Sequence, residues 1–365
     1  MDIGQDLPTR FVVCMVYKEK LIILNKQKHL AYFGRWHGFV VGSIMKKDKI
    51  KKDLYVDWHA VAPGIWRIRD IFVNVYLVHN PHERTWVLID AGLPTTASKI
   101  RKVTADLFWP EAKPKAIILT HAHFDHTGSL IKLAEEWDVP VYAHIMEKPY
   151  LTGASSYPPA DPSVGGGLLS LISFLYPKGP IDITDRFVAL PADGTVPALP
   201  GWKYFHTPGH APGHVSFFRE SDKVLIAGDA FVTTNQESVI SVLLQKREMH
   251  GPPKYFTYNW GSSERSVKLL AALEPSVVAT GHGKPMDGVK MREALRDLAN
   301  NFPEKAVPSS GRYVDEPALV NLEGVQYVPP ATNRNLMISA VGITVAAFMG
   351  FFLVTRMRRR PQFFQ

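Results

Sequence analysis

Short apolar runs separated by polar, Gly- or Pro-containing stretches recur through the middle of the chain. Ile71–Val78, Trp86–Asp90, Ala116–Thr120, Val141–His144, Lys203–Thr207, Val215–Arg219, Val224–Asp229 and Val277–Gly281 read as strands. Between them, apolar positions return at helical spacing near 95–108, 128–138, 262–273 and 288–301; Leu130, Ile131, Leu133, Ala134 and Trp137 give the clearest case. Strands interleaved with helices predict the α/β class, layered sheet with helices outside. Two longer stretches interrupt the alternation. Residues 150–180 combine Pro158-Pro159, Gly165-Gly166-Gly167 and the apolar run Leu168–Tyr176. Residues 235–260 combine Val239, Val242, Leu243 and Leu244 with Tyr255, Phe256, Tyr258 and Trp260. Loops of this length are usually functional or disordered, and this apolar content predicts a partly ordered wall or lid.

The ends read differently from the body at 54–304. Residues 1–53 predict a strand pair around Lys18-Glu19-Lys20, then the charged run Lys46–Asp53. That run begins directly after Met45, so residues 1–44 are either an extension upstream of a start at Met45 or a peripheral strand pair. Residues 305–334 read as a polar, Pro-containing linker. Leu336 to Val354 then carries no charge over 19 residues, enough at about 1.5 Å per residue to cross a roughly 30 Å hydrocarbon layer. The expectation is a transmembrane helix at 335–355, a single-pass C-terminal anchor, with a buried terminal helix as the alternative. Arg356, Arg358, Arg359 and Arg360 make 356–365 a basic tail. Arginines after a span favour a cytoplasmic tail, yet no export signal precedes the body, and a body facing the cytoplasm is expected. Gly342, Ala346 and Gly350 recur every four residues, either a face on which two copies pair as a homo-dimer or small residues facing lipid.

Composition narrows the partners. The formal charge is +8, but residues 1–53 hold 11 Lys/Arg against 5 Asp/Glu, and residues 334–365 hold 5 Arg and no acid. The remaining 26 basic and 29 acidic residues leave 54–333 slightly acidic. A nucleic-acid enzyme needs a basic stripe on its body, so no nucleic-acid partner is expected. Cys14 is the single cysteine; it excludes an intramolecular disulfide and reads as a packed apolar residue.

The chemistry concentrates in Thr120-His121-Ala122-His123-Phe124-Asp125-His126. Three imidazoles and a carboxylate packed this densely would each lose solvation without a partner, whereas neutral imidazole and carboxylate are good donors to zinc-like ions. The run joins the buried strand at 116–119 to the helical pattern after Gly128, which puts it on a loop open to a cleft. Downstream, Thr207-Pro208-Gly209-His210-Ala211-Pro212-Gly213-His214, Ala227-Gly228-Asp229-Ala230 and Ala279-Thr280-Gly281-His282-Gly283 each place a His or Asp at a strand's end beside glycine. Converging strand ends are where α/β scaffolds keep their chemistry.

Together these residues resemble the metallo-β-lactamase superfamily of metallohydrolases, over about 60–304. The His-x-His-x-Asp-His pattern at 121–126, His210, Asp229 and His282 stand in the family's order, with Asp90 in Leu88-Ile89-Asp90-Ala91-Gly92 upstream. The resemblance implies a four-layer αβ/βα sandwich with a two-metal site at the sheet edge. It implies that His121, His123 and His210 bind one divalent ion, that Asp125, His126 and His282 bind a second, and that Asp229 bridges them. Zinc is the default, and iron or manganese suits a site with two aspartates. One subclass of true β-lactamases carries Cys where Asp229 stands, which points this chain away from β-lactam hydrolysis.

The expected reaction is hydrolysis of an acyl bond, thioester or lactone, by a metal-bridging hydroxide, with Asp125 also able to relay a proton. Glyoxalase II and the acyl-homoserine lactone lactonases are similar in motif, but glyoxalase II carries a helical C-terminal domain that does not match this tail. The apolar insertions favour a small, lipophilic acyl substrate. A phosphodiesterase or nuclease, and a di-iron redox enzyme, remain alternatives on the same site. Among the other polar residues, Asp90 is expected to orient a metal-bound histidine, and His214 either does the same or merely begins a strand. His206 and His144 read as structural, and Tyr255 and Tyr258 as core or lid residues rather than oxyanion donors.

Overall fold

The computed structural model describes residues 11–17, 20–25, 30–36, 39–45, 58–109 and 111–331. Compactness divides the chain into two units, Met1–Asp57 and Trp58–Gln365. In the first, β1 (Phe11–Tyr17), β2 (Lys20–Asn25), β3 (Leu30–Trp36) and β4 (Phe39–Met45) form one antiparallel sheet in sequence order. The expected strand pair is thus a four-stranded meander. Its last two strands have the aromatic and β-branched content of the first two, on either side of His37-Gly38. The side-chain surroundings of Cys14, the run 46–53, the span Leu336–Val354 and the arginines after it lie outside the described residues. Among the described residues, no helix is long and apolar enough to cross a membrane.

The second unit carries two larger sheets. One contains β5 (Trp58–Ala62), β6 (Ile65–Asp70), β7 (Val73–Asn80), β8 (Thr85–Ile89), β9 (Ala116–Ile118), β10 (Val141–Ala143) and β11 (Phe187–Ala189), running from β11 back to β5. The other contains β12 (Trp202–His206), β13 (Val215–Arg219), β14 (Val224–Gly228), β15 (Val277–Thr280) and β16 (Met286–Asp287) in that order. A hairpin of β17 (Leu319–Asn321) and β18 (Gly324–Tyr327) stands apart from both sheets.

Why the strands read as unbroken apolar runs is visible in the core. Residues of one strand alternate between two apolar layers, so both faces are buried. In β7 and β8, Val75, Leu77, Trp86 and Leu88 face the helices Ala97–Leu107 and Leu130–Trp137, packing with Ile100 and Leu133. Tyr76, Val78, Val87 and Ile89 face the other way, onto Val215, Phe217, Val224 and Ile226 of the second sheet. That sheet's far face, through Leu225, Ala227 and Val278, packs on Val267, Leu270 and Leu295 of the helices Trp260–Ala272 and Gly288–Asn300. Helix, sheet, sheet, helix: the layers are those of an αβ/βα sandwich. Each fully buried aliphatic or aromatic side chain contributes about 1.5–3 kcal/mol.

Residues 305–331 differ from the expected linker. Tyr313 and Ala318 are buried, the Tyr313 hydroxyl donates to the Pro159 carbonyl at 2.6 Å, and the Ala318 N–H donates to the Tyr258 carbonyl at 3.1 Å. A few anchors spaced by exposed polar residues fasten this segment to the body, a pattern with no periodicity for a sequence reading to catch. The interruption at 150–180 holds only turn-sized helices, among them Leu168–Leu171, and 235–260 holds the helix Val239–Leu244.

β8, β9 and β10 run parallel, and so do β14 and β15. Their C-terminal ends, with that of β12, deliver the polar loops after Ile89, Ile118, His206, Gly228 and Thr280 to one rim. The two sheets are tied there directly: the Val215 N–H donates to the Thr120 carbonyl at 2.9 Å.

Candidate metal centre

The histidine-rich loop leaves β9 and enters a single helical turn, Phe124–Thr127, with His123 as its N-cap in extended conformation. This places His121 and His123 before the turn, and Asp125 and His126 within it, on one side of the rim. All seven expected donors meet there, each buried. Their ligand atoms fall into three groups, His121/His123/His210, His121/His126/Asp229 and Asp125/His126/His282, each within 4.8 Å of one another. His123 Nδ1 lies 3.0 Å from His210 Nε2. Asp229 Oδ2 lies 2.9 Å from His282 Nε2, 3.5 Å from His210 Nε2 and 3.7 Å from His126 Nε2. Asp125 Oδ2 is 3.5 Å from His282 Nε2 and 3.9 Å from His126 Nε2. Gly281 makes this approach possible: a Cβ there would sit 1.9 Å from Asp229 Oδ1.

The buried donors fit cations. His121 Nε2, His126 Nε2 and Asp229 Oδ1 have no hydrogen-bond partner among the described residues, an arrangement native interiors avoid unless an ion or water completes it. Five imidazoles and two carboxylates on a shared space suit a pair of borderline metal ions.

Electrostatics splits the donors into two characters. Burial, reinforced by neighbouring imidazoles, holds His121 and His123 well below the ordinary imidazole range, and burial takes His210 down to about 3. Burial thus favours the neutral ring, the form that donates to a metal, in all three. For His126 burial also opposes charge, but Asp90, Asp125 and Asp229 outweigh it and hold the ring well above its usual value. His282 is raised too, with burial outweighed by Asp229 and Asp125. Burial works against ionised Asp229, yet His282 and His126 outweigh it and hold its carboxyl well below the usual range. Asp125 is raised by burial.

The surroundings fix the tautomers of His126 and His282. Asp90, at φ 61°, accepts from His126 Nδ1 at 2.8 Å and from the Thr120 N–H at 2.8 Å, which turns His126 Nε2 inward. His282 Nδ1–H donates to the Phe72 carbonyl at 2.8 Å, and His123 Nε2 meets the Tyr258 hydroxyl at 3.2 Å. His214 is no ligand. Its Nε2 accepts from the Asp229 N–H at 2.8 Å, so its Nδ1–H donates to Thr207 Oγ1 at 2.8 Å, and the chain continues through Ser216 Oγ to the Ala227 carbonyl. His206 stacks on His144 at 4.0 Å and donates to the Pro212 carbonyl at 2.8 Å, bracing the same loop.

Some polar residues of the site were not visible in the sequence. Arg67 and Asn74 are buried in β6 and β7, donating to the Gly283 carbonyl at 2.8 and 2.7 Å; Asn74 Nδ2 and the Tyr76 hydroxyl also reach the Thr280 carbonyl. They grip the loop that carries His282. Their only trace in sequence is a polar residue inside an apolar strand. Glu147 and Tyr157, buried beside the histidine loop, left no trace at all.

The sequence profile of the Metallo-beta-lactamase superfamily matches residues 68–282, which contain every one of these donors. The chain belongs to that superfamily. Among the proteins this chain resembles, the probable metallo-hydrolase YflN of Bacillus subtilis (strain 168) is 47% identical over 242 residues, covering 66% of this chain and 92% of that protein. The probable metallo-hydrolase YybB of the same organism is 29% identical over 198 residues, covering 54% of this chain and 75% of that one. The crystal structure of the metallo-beta-lactamase family protein TTHA1429 from Thermus thermophilus matches at 23% identity and TM-score 0.44, covering 67% of this chain and 80% of that one. As a member of the metallo-beta-lactamase superfamily, the chain is a metallo-hydrolase.

Proposed function

We propose that this metallo-hydrolase cleaves the acyl bond of a lipophilic thioester or lactone. The observation that carries this reading is the cleft at Asp125. Phe72, Phe124, Leu169, Tyr176, Tyr255 and Phe256 line it, with Gln236, and no lysine or arginine is among the described lining residues. Leu168 and Leu175, the sequence neighbours of Leu169 and Tyr176, are exposed. The cleft is small, about 20 Å³, so its apolar wall suits the acyl carbons next to a carbonyl that stops at the donors, with the rest of the chain running out past Leu168 and Leu175. A long polyanion is better served by lysines or arginines along its path, and the described lining residues include none.

In this reading His121, His123 and His210 hold one ion, Asp125, His126 and His282 hold the other, and Asp229 is shared. The ions are zinc, with iron or manganese compatible with the same donors. A bound pair of divalent cations lowers the pKa of water and polarises an acyl carbonyl. The chain's own residues do the rest. The aromatic wall orients the acyl chain and excludes water. Asp125 borders both the donors and the cleft, so its carboxyl takes the water's proton and returns it to the departing thiolate or alkoxide. Tyr258 stands behind His123 and orients it; Tyr255 belongs to the wall.

The uncharged span at 336–354 fits the same substrates, because an anchor there holds the body beside lipophilic acyl donors. Full-length protein assayed on acyl thioesters of rising chain length, on lactones and on phosphodiesters is expected to favour acyl substrates. Each methylene buried in the cleft should raise kcat/KM by up to about fourfold, from roughly 0.8 kcal/mol per CH₂. Expressed protein should sediment with membranes. A flat chain-length profile, or a preference for diesters, would reject the substrate; purely soluble protein would reject the anchor.

A further inference from the structure

Glu147 ends the short helical turn Ile145–Glu147 after β10 and is fully buried. Its carboxylate faces no arginine or lysine among the described residues; it is spent on backbone. Oε2 accepts from the Ala122 N–H at 2.8 Å and from the Tyr157 hydroxyl, which itself takes the Ala122 N–H at 3.0 Å. Oε1 accepts from the Gly213 N–H at 2.6 Å. Ala122 lies between His121 and His123, and Gly213 lies three residues after His210. One carboxylate therefore ties together the two loops, 87 residues apart from His123 to His210, that supply the three-histidine group. Gly213 is required for the contact: a Cβ there would sit 2.7 Å from Glu147 Cγ. Tyr157 extends the clamp to the ring of His123, at 4.5 Å between centroids. Among the described residues, no hydrogen bond joins Glu147 to the turn Phe124–Thr127 that carries Asp125 and His126, or to the loop of His282. Those are held by Asp90, by the Phe72 carbonyl and by Arg67 and Asn74.

We propose that Glu147 is a positioning residue specific to the His121/His123/His210 half of the centre, setting the spacing of those three imidazoles and leaving the Asp125/His126/His282 half to other supports. This rests on the ligand assignment given above. A carboxyl group is the one side chain of this size that can offer an accepting oxygen at each end. Glutamine would turn an NH₂ group against either the Ala122 or the Gly213 N–H and push one loop away.

The test is Zn²⁺ affinity of full-length, metal-stripped protein, measured by chelator competition in two single-site backgrounds. With His282→Ala, only the three-histidine group remains complete; with His210→Ala, only the other half does. Glu147→Gln is expected to weaken binding about 10–100-fold in the first background, the range for lost outer-shell partners, and to leave the second unchanged. Should Glu147→Gln fail to fold, Tyr157→Phe removes one donor and keeps both backbone bonds, and a smaller loss confined to the first background is expected. Equal weakening in both backgrounds, or in neither, overturns the proposal. Failure of the unsubstituted protein to bind two ions would instead overturn the ligand assignment.

Discussion

Replacing Asp229 with alanine is expected to lower kcat/KM on the best acyl substrate by at least about 10²–10³-fold, the loss seen when a group acting directly on the reacting atoms is removed. The expectation follows from one atom. Asp229 Oδ2 lies within 3.7 Å of His126, His210 and His282, so among the described residues it is the only carboxylate oxygen close to imidazoles of both halves of the centre. Its loss strips both halves at once and leaves His126 and His282 without the carboxylate that balances them. The backbone should hold, because the Asp229 N–H keeps its bond to His214. Bound metal should fall with activity, as read by elemental analysis on folded protein, and Asp229→Asn should fail too. Full turnover in either variant would refute the shared role.

The second large effect comes from a residue that touches no ion in the proposed assignment. Asp90→Asn is expected to weaken metal binding about 10–100-fold. Asp90 accepts from His126 Nδ1 with one oxygen and from the Thr120 N–H with the other. Asparagine keeps one acceptor and turns an amide N–H₂ on the other partner, so either His126 loses its anchor or Thr120 shifts the loop. A His126 freed from Asp90 can carry its proton on Nε2, where the ion should sit. Asparagine also tolerates the left-handed backbone at this position, which keeps the test chemical rather than conformational. Metal affinity equal to that of the unsubstituted protein would show that the Asp90–His126 pair is only structural.

What was legible in the sequence follows from which constraints leave a local trace. The strands at 116–118, 224–228 and 277–280 showed as near-continuous apolar runs because both of their faces are buried. The seven residues showed because metal chemistry accepts few residue types, and four of them fall within the six positions 121–126. β5 and β6 did not show: His59, Arg67 and Arg69 interrupt their pattern, and buried Arg67 is where a core position serves the site instead of the core. Glu147 was illegible for a deeper reason. Its partners are the N–H groups of Ala122 and Gly213, and a backbone amide is the same in every residue. The segment around Tyr313 resembled a linker because two anchors among exposed polar residues make no period.

The claim on which the account stands is that His121, His123, Asp125, His126, His210, Asp229 and His282 surround two metal ions. Anomalous X-ray diffraction from crystals of zinc-loaded protein, collected on either side of the zinc edge, measures this most directly. Two peaks are expected: one about 2.0–2.1 Å from the ring nitrogens of His121, His123 and His210, and one about 2.0–2.2 Å from His126, His282 and Asp125, with Asp229 between them. A single peak, or peaks that leave His210, Asp229 and His282 uncoordinated, would contradict it.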